Sequence, residues 1–197
     1  MKVLDLFCGA GGAATGIHRA LPNAEIIGVD IRPQKHYPFT FVLADAMTFP
    51  LEGYDFIWAS PPCQRYSAIQ HITKNKEKYP ELIGPIKKLL ETSGSPFVIE
   101  NVEGAPLRVD LRLCGSCFGL GMIRHRIFES NRQLPLLTLT CHHESMYDPW
   151  HWGNRQREEM SKRMGIDWEM TRQEVREAIP PAYSEFIVRQ IFHLRGD

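Results

Sequence analysis

The opening residues restrict the fold more than any other stretch. Val3-Leu4-Asp5-Leu6-Phe7 has the pattern of a buried strand. It runs into a glycine-rich turn, Cys8-Gly9-Ala10-Gly11-Gly12-Ala13-Ala14-Thr15-Gly16, and then into a helical pattern through Ile17, Ala20 and Leu21. Strand, glycine turn and helix open a nucleotide-binding α/β unit, because glycines let backbone approach a ligand closely. Asp30 ends the next apolar strand, Ile26-Ile27-Gly28-Val29, where a carboxylate can accept both ribose hydroxyls. Glycine spacing alone fits a dinucleotide oxidoreductase as well as an adenosylmethionine enzyme.

A second constraint lies at Pro61-Pro62-Cys63-Gln64, after the apolar run Asp55-Phe56-Ile57-Trp58-Ala59-Ser60. The run reads as a buried strand that two prolines cannot continue, so the turn is stiff and the Cys63 thiol stands on a loop. A thiolate is a strong nucleophile, and a rigid loop fixes its direction. A third apolar run, Phe97-Val98-Ile99, delivers the carboxyl of Glu100 to a strand end, followed by Asn101-Val102. In an open parallel sheet these strand ends share one crevice. Thiol and carboxyl together suit attack on an electron-poor ring: the thiol adds to carbon and the acid protonates ring nitrogen. Alone, Cys63 reads as a structural cysteine and Glu100 as an ordinary ion-pair partner; together they point to chemistry.

With these motifs in order, the chain resembles the cytosine-5 DNA methyltransferases, and among them the small methylases of bacteriophages. Asp5-Leu6-Phe7-Cys8-Gly9-Ala10-Gly11-Gly12 is similar to the family's first motif and Pro61-Pro62-Cys63-Gln64 to its nucleophile motif. Glu100-Asn101-Val102 matches the acid motif and Arg124-His125-Arg126 the paired-arginine motif. Ala178-Ile179-Pro180-Pro181-Ala182-Tyr183 is similar to the last cofactor-side motif. The resemblance implies a Rossmann-like α/β fold, S-adenosylmethionine as cofactor and DNA with a flipped cytosine as partner. It implies that Cys63 adds to carbon 6 of cytosine, that Glu100 holds nitrogen 3 and the exocyclic amine, and that Arg124 and Arg126 hold the base carbonyl, support Glu100 and reach the nucleotide phosphate. On the cofactor side it implies Asp5, Phe7 (stacked on adenine), Gly9 and Gly11 (along the methionine part), Asp30 (ribose), Asp45 (adenine amine) and Pro61. Addition at carbon 6 makes carbon 5 enamine-like, and a base inside a duplex must leave the stack to be reached.

Two departures from the family pattern matter. Met122 stands where relatives carry a glutamine, two residues before Arg124. Only residues 129–177 separate the catalytic core, 1–128, from the C-terminal segment, 178–197. That interval has no room for a separate target-recognition domain, so a single methyltransferase domain with a short recognition segment is expected, together with short, loose target specificity. Oligomeric state stays open.

The 197 residues fit one domain with a real core. Apolar runs fall short of membrane-spanning length, no signal-peptide pattern is present, and five cysteines without a framework suggest a reducing cytoplasm. Net charge is zero, which makes no whole-chain argument for nucleic acid. Locally, residues 64–88 set Arg65, Lys74, Lys76, Lys78, Lys87 and Lys88 against Glu77 and Glu81. Gln64, Arg65, Ser67, Lys74 and Lys76 are therefore the candidate DNA contacts, though such a run also suits a solvated loop.

Coarsely, strands are expected near 2–7, 25–30, 40–43, 54–59 and 96–100, with strand character again over 112–140. Helices are expected near 12–21, 80–93, 171–178 and 182–194, the third opened by a Thr171-x-x-Glu174 capping box. Residues 30–39 read as loop. Residues 141–165 mix aromatic and basic groups, including Tyr147, Trp150, Trp152, Arg155, Arg157, Lys162 and Arg163, which suits nucleic-acid stacking and an ordinary surface equally. Cys114 and Cys117, with Cys141 and His142 or His143, offer zinc ligands, but the first pair sits in an apolar stretch where cysteine behaves as a small hydrophobe, so no metal is expected. His18, His36 and His193 read as surface or satisfied side chains. A nicotinamide oxidoreductase leaves Pro-Pro-Cys and Glu-Asn-Val unexplained. The same chemistry on RNA or a free cytosine nucleotide, and a binding module without turnover, are the remaining alternatives.

Overall fold

Both faces of one sheet are buried, which explains why its strands read as continuous apolar runs. The computed structural model describes residues 1–66, 78–134, 140–143 and 156–193. Ser67, Lys74, Lys76, Tyr147, Trp150, Trp152 and Arg155 lie outside these described residues. The strands are β1 (Lys2–Leu6), β2 (Glu25–Asp30), β3 (Thr40–Leu43), β4 (Phe56–Ala59), β5 (Phe97–Asn101), β6 (Leu111–Leu113) and β7 (Arg126–Ser130). Their order is β3-β2-β1-β4-β5-β7-β6. Strands β1 to β5 run parallel, and β7 enters antiparallel between β5 and β6. This is the Rossmann-like α/β arrangement expected from the sequence.

Alternation along the strands divides the core in two. On one face Val3, Ile26, Phe56, Trp58, Val98 and Phe128 pack with Ala13 and Ile17 of helix α1 (Gly12–Ala20) and with Tyr183, Ile187 and Val188 of the C-terminal helix. On the other, Leu4, Leu6, Ile27, Ile57 and Ile99 pack with Ile83, Ile86 and Leu90 of helix α2 (Ile83–Ser93). Helices α3 (Gln156–Met164), α4 (Arg172–Glu177) and α5 (Pro181–Ile191) follow. The capping box of α4 forms as expected: the Thr171 hydroxyl accepts from the Glu174 amide and the Glu174 carboxylate from the Thr171 amide.

Helix α3 was not expected. It places Met160 and Met164 in a third apolar cluster with Ala10, Met122, Ile166, Met170 and Val175. Part of the 129–177 interval thus packs into the core. Arg163, grouped with the candidate nucleic-acid contacts, pairs with Glu159 at 2.7 Å and donates to the Gly121 carbonyl.

Helix α5 lies hard against α1. The Ser184 hydroxyl donates to the Ala13 carbonyl at 2.8 Å. A methyl group on Gly16 would fall 2.0 Å from the Pro181 carbonyl oxygen and 2.1 Å from the Ser184 hydroxyl. Gly16→Ala must therefore push the helices apart. The expected loss, read by urea unfolding, is about 1–3 kcal/mol, the usual penalty of overpacking; unchanged stability would contradict the contact.

Candidate active site

The parallel register fixes the site. Leu6 pairs with Val29 on one side and with Ala59 on the other, and Ala59 pairs with Ile99. The next residues, Phe7, Asp30, Ser60 and Glu100, therefore stand in a row along one edge, Asp30 and Glu100 still paired with Leu43 and Phe128.

On the first two strands the chain turns sharply. Phe7 takes a left-handed backbone with φ 56°, unusual for a bulky residue, and its successor donates from the Cys8 amide to the Val29 carbonyl. Gly11, at φ 90°, packs so closely that a methyl group would lie 2.5 Å from a carbon of the Pro38 ring. At Gly9, by contrast, a methyl group would meet nothing within 4 Å. The open space lies where a ligand needs backbone to be bare. The Gly9 amide donates to Asp30 Oδ2 at 3.2 Å and the Arg32 amide to Asp30 Oδ1 at 2.9 Å. The half-buried carboxylate is thus oriented beside the turn. Asp45 is exposed beyond β3; its Oδ1 accepts from the Met47 amide, and the neighbouring Ala44 amide donates to the Asp30 carbonyl.

Asp5 lies deeper. It is fully buried, and Tyr37 donates its hydroxyl to Asp5 Oδ2 at 3.2 Å. Oδ1 has no hydrogen-bond partner among the described residues. Burial pushes the carboxyl up to about 8, against the lowering effect of the Tyr37 hydrogen bond, and Asp30 adds repulsion. Cys8, beside the same turn, is buried, and burial with the two carboxylates pushes its thiol far above the usual range. It is the less reactive of the two cysteines near this edge.

On the other two strands, Cys63 is half-buried at the loop and Glu100 is buried at the end of β5. Arg126, from β7, contacts Glu100 Oε1 through Nε at 2.9 Å. Burial raises the Glu100 carboxyl; Arg126, a hydrogen bond from Ser60 and the charge of Arg124 pull it back. Burial also raises the Cys63 thiol, while Arg126 lowers it and Glu100 raises it. Thiol, carboxyl and guanidinium therefore share one electrostatic site.

Asn101 completes the arrangement, and its role was missed in the sequence. Its buried amide donates Nδ2–H to the Pro61 carbonyl at 2.8 Å. The acid motif thereby holds the loop of the nucleophile motif. A polar side chain adjoining Glu100 at a strand end was the available signal.

Arg124, expected to hold the base carbonyl, also makes contacts with the C-terminal segment. Its Nη2 donates to the Arg176 carbonyl at 2.8 Å and to the Ala178 carbonyl, while its own carbonyl accepts from the Tyr183 hydroxyl at 2.6 Å. It ties the arginine motif to the C-terminal segment. Burial, then repulsion from Arg126, lowers this guanidinium to about 9. Met122 is fully buried and supplies no polar group to the site.

Of the described candidate DNA contacts, Gln64 and Arg65 belong to a 3-10 turn at Gln64–Tyr66, with Arg65 donating to the Tyr79 carbonyl at 2.7 Å. Lys87, counted in the basic stretch, sets its ammonium 2.6 Å from the buried Glu129 carboxylate while its own side chain stays partly exposed. Lys88 is exposed. His36 pairs with Glu174 at 2.9 Å, a satisfied side chain as expected.

Residues 1–107 match the model of the C-5 cytosine-specific DNA methylases. The chain belongs to that family. This match spans more than half the chain and includes the glycine turn, Cys63 and Glu100. No curated protein sequence matches the chain. Among solved structures, it is similar to the Entamoeba histolytica methyltransferase EhMeth, with a TM-score of 0.68 at 13% identity, covering 100% of this chain and 99% of that one. It is more distantly similar to an RNA methyltransferase from Salinibacter ruber in complex with S-adenosyl-L-homocysteine, with a TM-score of 0.40 at 13% identity over 71% of this chain and 86% of that one. The fold of this family member is thus a methyltransferase fold, and its methyl donor is S-adenosylmethionine. The residues fit that group: an oriented carboxylate at Asp30, open space at Gly9 and an unsatisfied buried oxygen at Asp5. No described helix of this methylase is long and apolar enough to cross a membrane, and none of its five cysteines forms a disulfide.

The buried Asp5 has a measurable consequence. Its folded-state pKa, about 8, lies above the usual 3.8, so the folded chain binds a proton that the unfolded chain releases between those values. Stability from this group is present below pH 4 and lost as pH rises to about 8. Relative to Asp5→Asn, which cannot titrate, the wild type is expected to weaken with rising pH by up to about 1.4 kcal/mol per unit in that window. Urea unfolding at several pH values reads the slope; parallel curves would refute the buried acid.

Proposed function

We propose that the protein methylates carbon 5 of cytosine in DNA through a covalent adduct with Cys63. The observation that carries this reading is the convergence of the Cys63 loop, buried Glu100 and Arg126 at one strand edge, with Arg126 at 2.9 Å from Glu100. The methyl donor supplies an electrophilic methyl group on a sulfonium. Around it, Asp30 would bind the ribose, Phe7 and Asp45 the adenine, and Asp5, Gly9, Gly11 and Pro61 the remaining wall.

The residues perform the reaction as follows. The Cys63 thiolate forms a bond to carbon 6 of the flipped base, and the ring's electron pair moves toward nitrogen 3. Glu100, whose carboxyl is raised by burial, holds a proton at nitrogen 3 and accepts a hydrogen bond from the exocyclic amine. Arg126 keeps Glu100 in place and lowers the thiol. Carbon 5, now enamine-like, takes the methyl group. Loss of the carbon 5 proton to a base then expels Cys63, nitrogen 3 returns its proton to Glu100, and the aromatic ring is restored. Arg124 is assigned a positioning role, because its guanidinium binds the Arg176 and Ala178 carbonyls.

Target reading falls to the residues around 64–88 and 131–165, where α3 gives Met160 and Met164 to the core and leaves Arg157, Glu158, Glu159 and Lys162 exposed. Each good bidentate base contact contributes about 1–3 kcal/mol of discrimination. Few side chains remain to make such contacts, so the recognition sequence is short and phosphate contacts carry much of the affinity.

Cys63→Ser is expected to bind cofactor with unchanged affinity and to lose methyl transfer by several orders of magnitude. A duplex containing 5-fluorocytosine should trap a covalent adduct with the wild type alone, while the matching RNA should not. Normal methylation by the serine variant would overturn the mechanism, and an adduct only on RNA would overturn the substrate. On the cofactor side, Asp30→Ala removes the ribose contacts. It should weaken S-adenosylmethionine binding by calorimetry by about 1–3 kcal/mol, roughly ten- to a hundredfold. An unchanged Kd would place the ribose elsewhere.

A further inference from the structure

A second cluster of reactive side chains lies beside the active site and takes no part in the chemistry above. Cys114, His125, Cys141 and His143 each bring one ligand atom into a small group, all four atoms lying within 4.8 Å of one another. Three separate chain segments supply them. Cys114 follows β6, His125 precedes β7, and Cys141 and His143 belong to the segment 140–143.

We infer that these four residues form a tetrahedral zinc site. Two sulfurs and two imidazole nitrogens are the donor set of a structural zinc centre. Two of the sulfur–nitrogen spacings are those of ligands around an ion. Cys114 Sγ lies 3.5 Å from His143 Nε2, and Cys141 Sγ lies 3.5 Å from His125 Nε2. With bonds of about 2.3 Å to sulfur and about 2.0 Å to nitrogen, tetrahedral geometry separates a sulfur from a nitrogen by about 3.5 Å. The two imidazoles are tilted at 57° rather than stacked, with centroids 5.0 Å apart.

The surroundings agree with an ion. His125 turns Nε2 to the cluster and Nδ1 to the Glu103 carboxylate at 3.4 Å. A carboxylate behind a histidine fixes the tautomer that leaves the other nitrogen free for metal. Glu103 is itself held by Arg112 at 3.0 Å. Backbone N–H groups of Ser116 and Arg124 face the Cys114 sulfur, as a thiolate requires. The two thiols release their protons to solvent on binding, so the bound ion carries no net charge with its ligands.

The expectation from sequence is corrected in its membership. Cys114 is buried, as an apolar reading required, yet its sulfur faces His143. Cys117 and His142, considered as ligands, lie outside the cluster, while His125, hidden between the two arginines, lies within it. The position gives the ion a task. It would cross-link the far edge of the sheet to the segment at 140–143, and it would hold the backbone one residue from Arg126. The inference is independent of the reading of the active site.

The test is metal content. Protein purified without chelator, or stripped and then titrated with zinc chloride, is expected to hold close to one zinc ion per chain by mass spectrometry. Cobalt substituted for zinc should give the thiolate charge-transfer and ligand-field bands of a tetrahedral site with two sulfurs. Cys141→Ser and His143→Ala should abolish stoichiometric zinc, whereas Cys117→Ser and His142→Ala should retain it. Glu103→Gln should weaken zinc affinity about 10- to 100-fold while keeping the stoichiometry. Because His143 is exposed, its variant is expected to fold, and circular dichroism checks this. No uptake by the wild type would overturn the site. Loss of zinc in Cys117→Ser together with retention in His143→Ala would overturn this ligand set.

Discussion

Four parallel strands end in register, and most of what this protein can do depends on that constraint. Leu6, Val29, Ala59 and Ile99 stand side by side, so Phe7, Asp30, Ser60 and Glu100 emerge on one edge from four separate parts of the sequence. A shift of one residue in any strand would turn its whole apolar set to the other face. The apolar cores above and below the sheet therefore hold the cofactor side and the catalytic side in mutual alignment. Hydrogen bonds then refine what burial has fixed: Gly9 to Asp30 on one side, Asn101 to Pro61 on the other.

Much of this was legible because it rests on local patterns. Apolar runs bounded by glycine or proline gave the first five strands, and the glycine turn announced the first helix. Thr171 and Glu174 announced another through a capping box that spans four residues. Helix α3 was not legible for an equally local reason. Its sequence, Gln-Arg-Glu-Glu-Met-Ser-Lys-Arg-Met, carries only Met160 and Met164 as apolar residues, one turn apart. That stripe is too narrow to separate a core helix from a solvated one; tertiary contact with Met122 and Met170 decides the matter.

Charges were read less well than apolar residues, since their meaning depends on distant partners. Lys87 counts toward a basic stretch in the sequence, yet Glu129, from the middle strand of an antiparallel trio, pairs with it. Arg124 looks like a twin of Arg126, but the carbonyls of Arg176 and Ala178 claim it. His125 sits between two catalytic-motif arginines, and nothing in its spacing to Cys114, Cys141 or His143 follows a familiar ligand pattern. Only the antiparallel turn-back of β7 against β6 brings it to them.

The crevice also has a proton logic that follows from burial. Desolvation raises both Cys63 and Glu100, which favours a neutral thiol and a neutral carboxyl. The proposed reaction needs the first deprotonated and the second protonated, so burial helps one group and opposes the other. Arg126 acts against burial at both: it favours the thiolate and also the carboxylate. A site tuned by these two forces alone cannot hold both groups in their reactive states without a base in place. Cytosine resolves the conflict, because its nitrogen 3 is a proton acceptor that engages the neutral carboxyl while carbon 6 takes the thiolate. In the proposed adduct the ring takes the Glu100 proton and the Cys63 proton replaces it on the carboxyl, so one proton passes in net from sulfur to ring and the crevice keeps its charge. Burial, which raises the Cys63 thiol, favours its neutral and less nucleophilic form in the empty crevice.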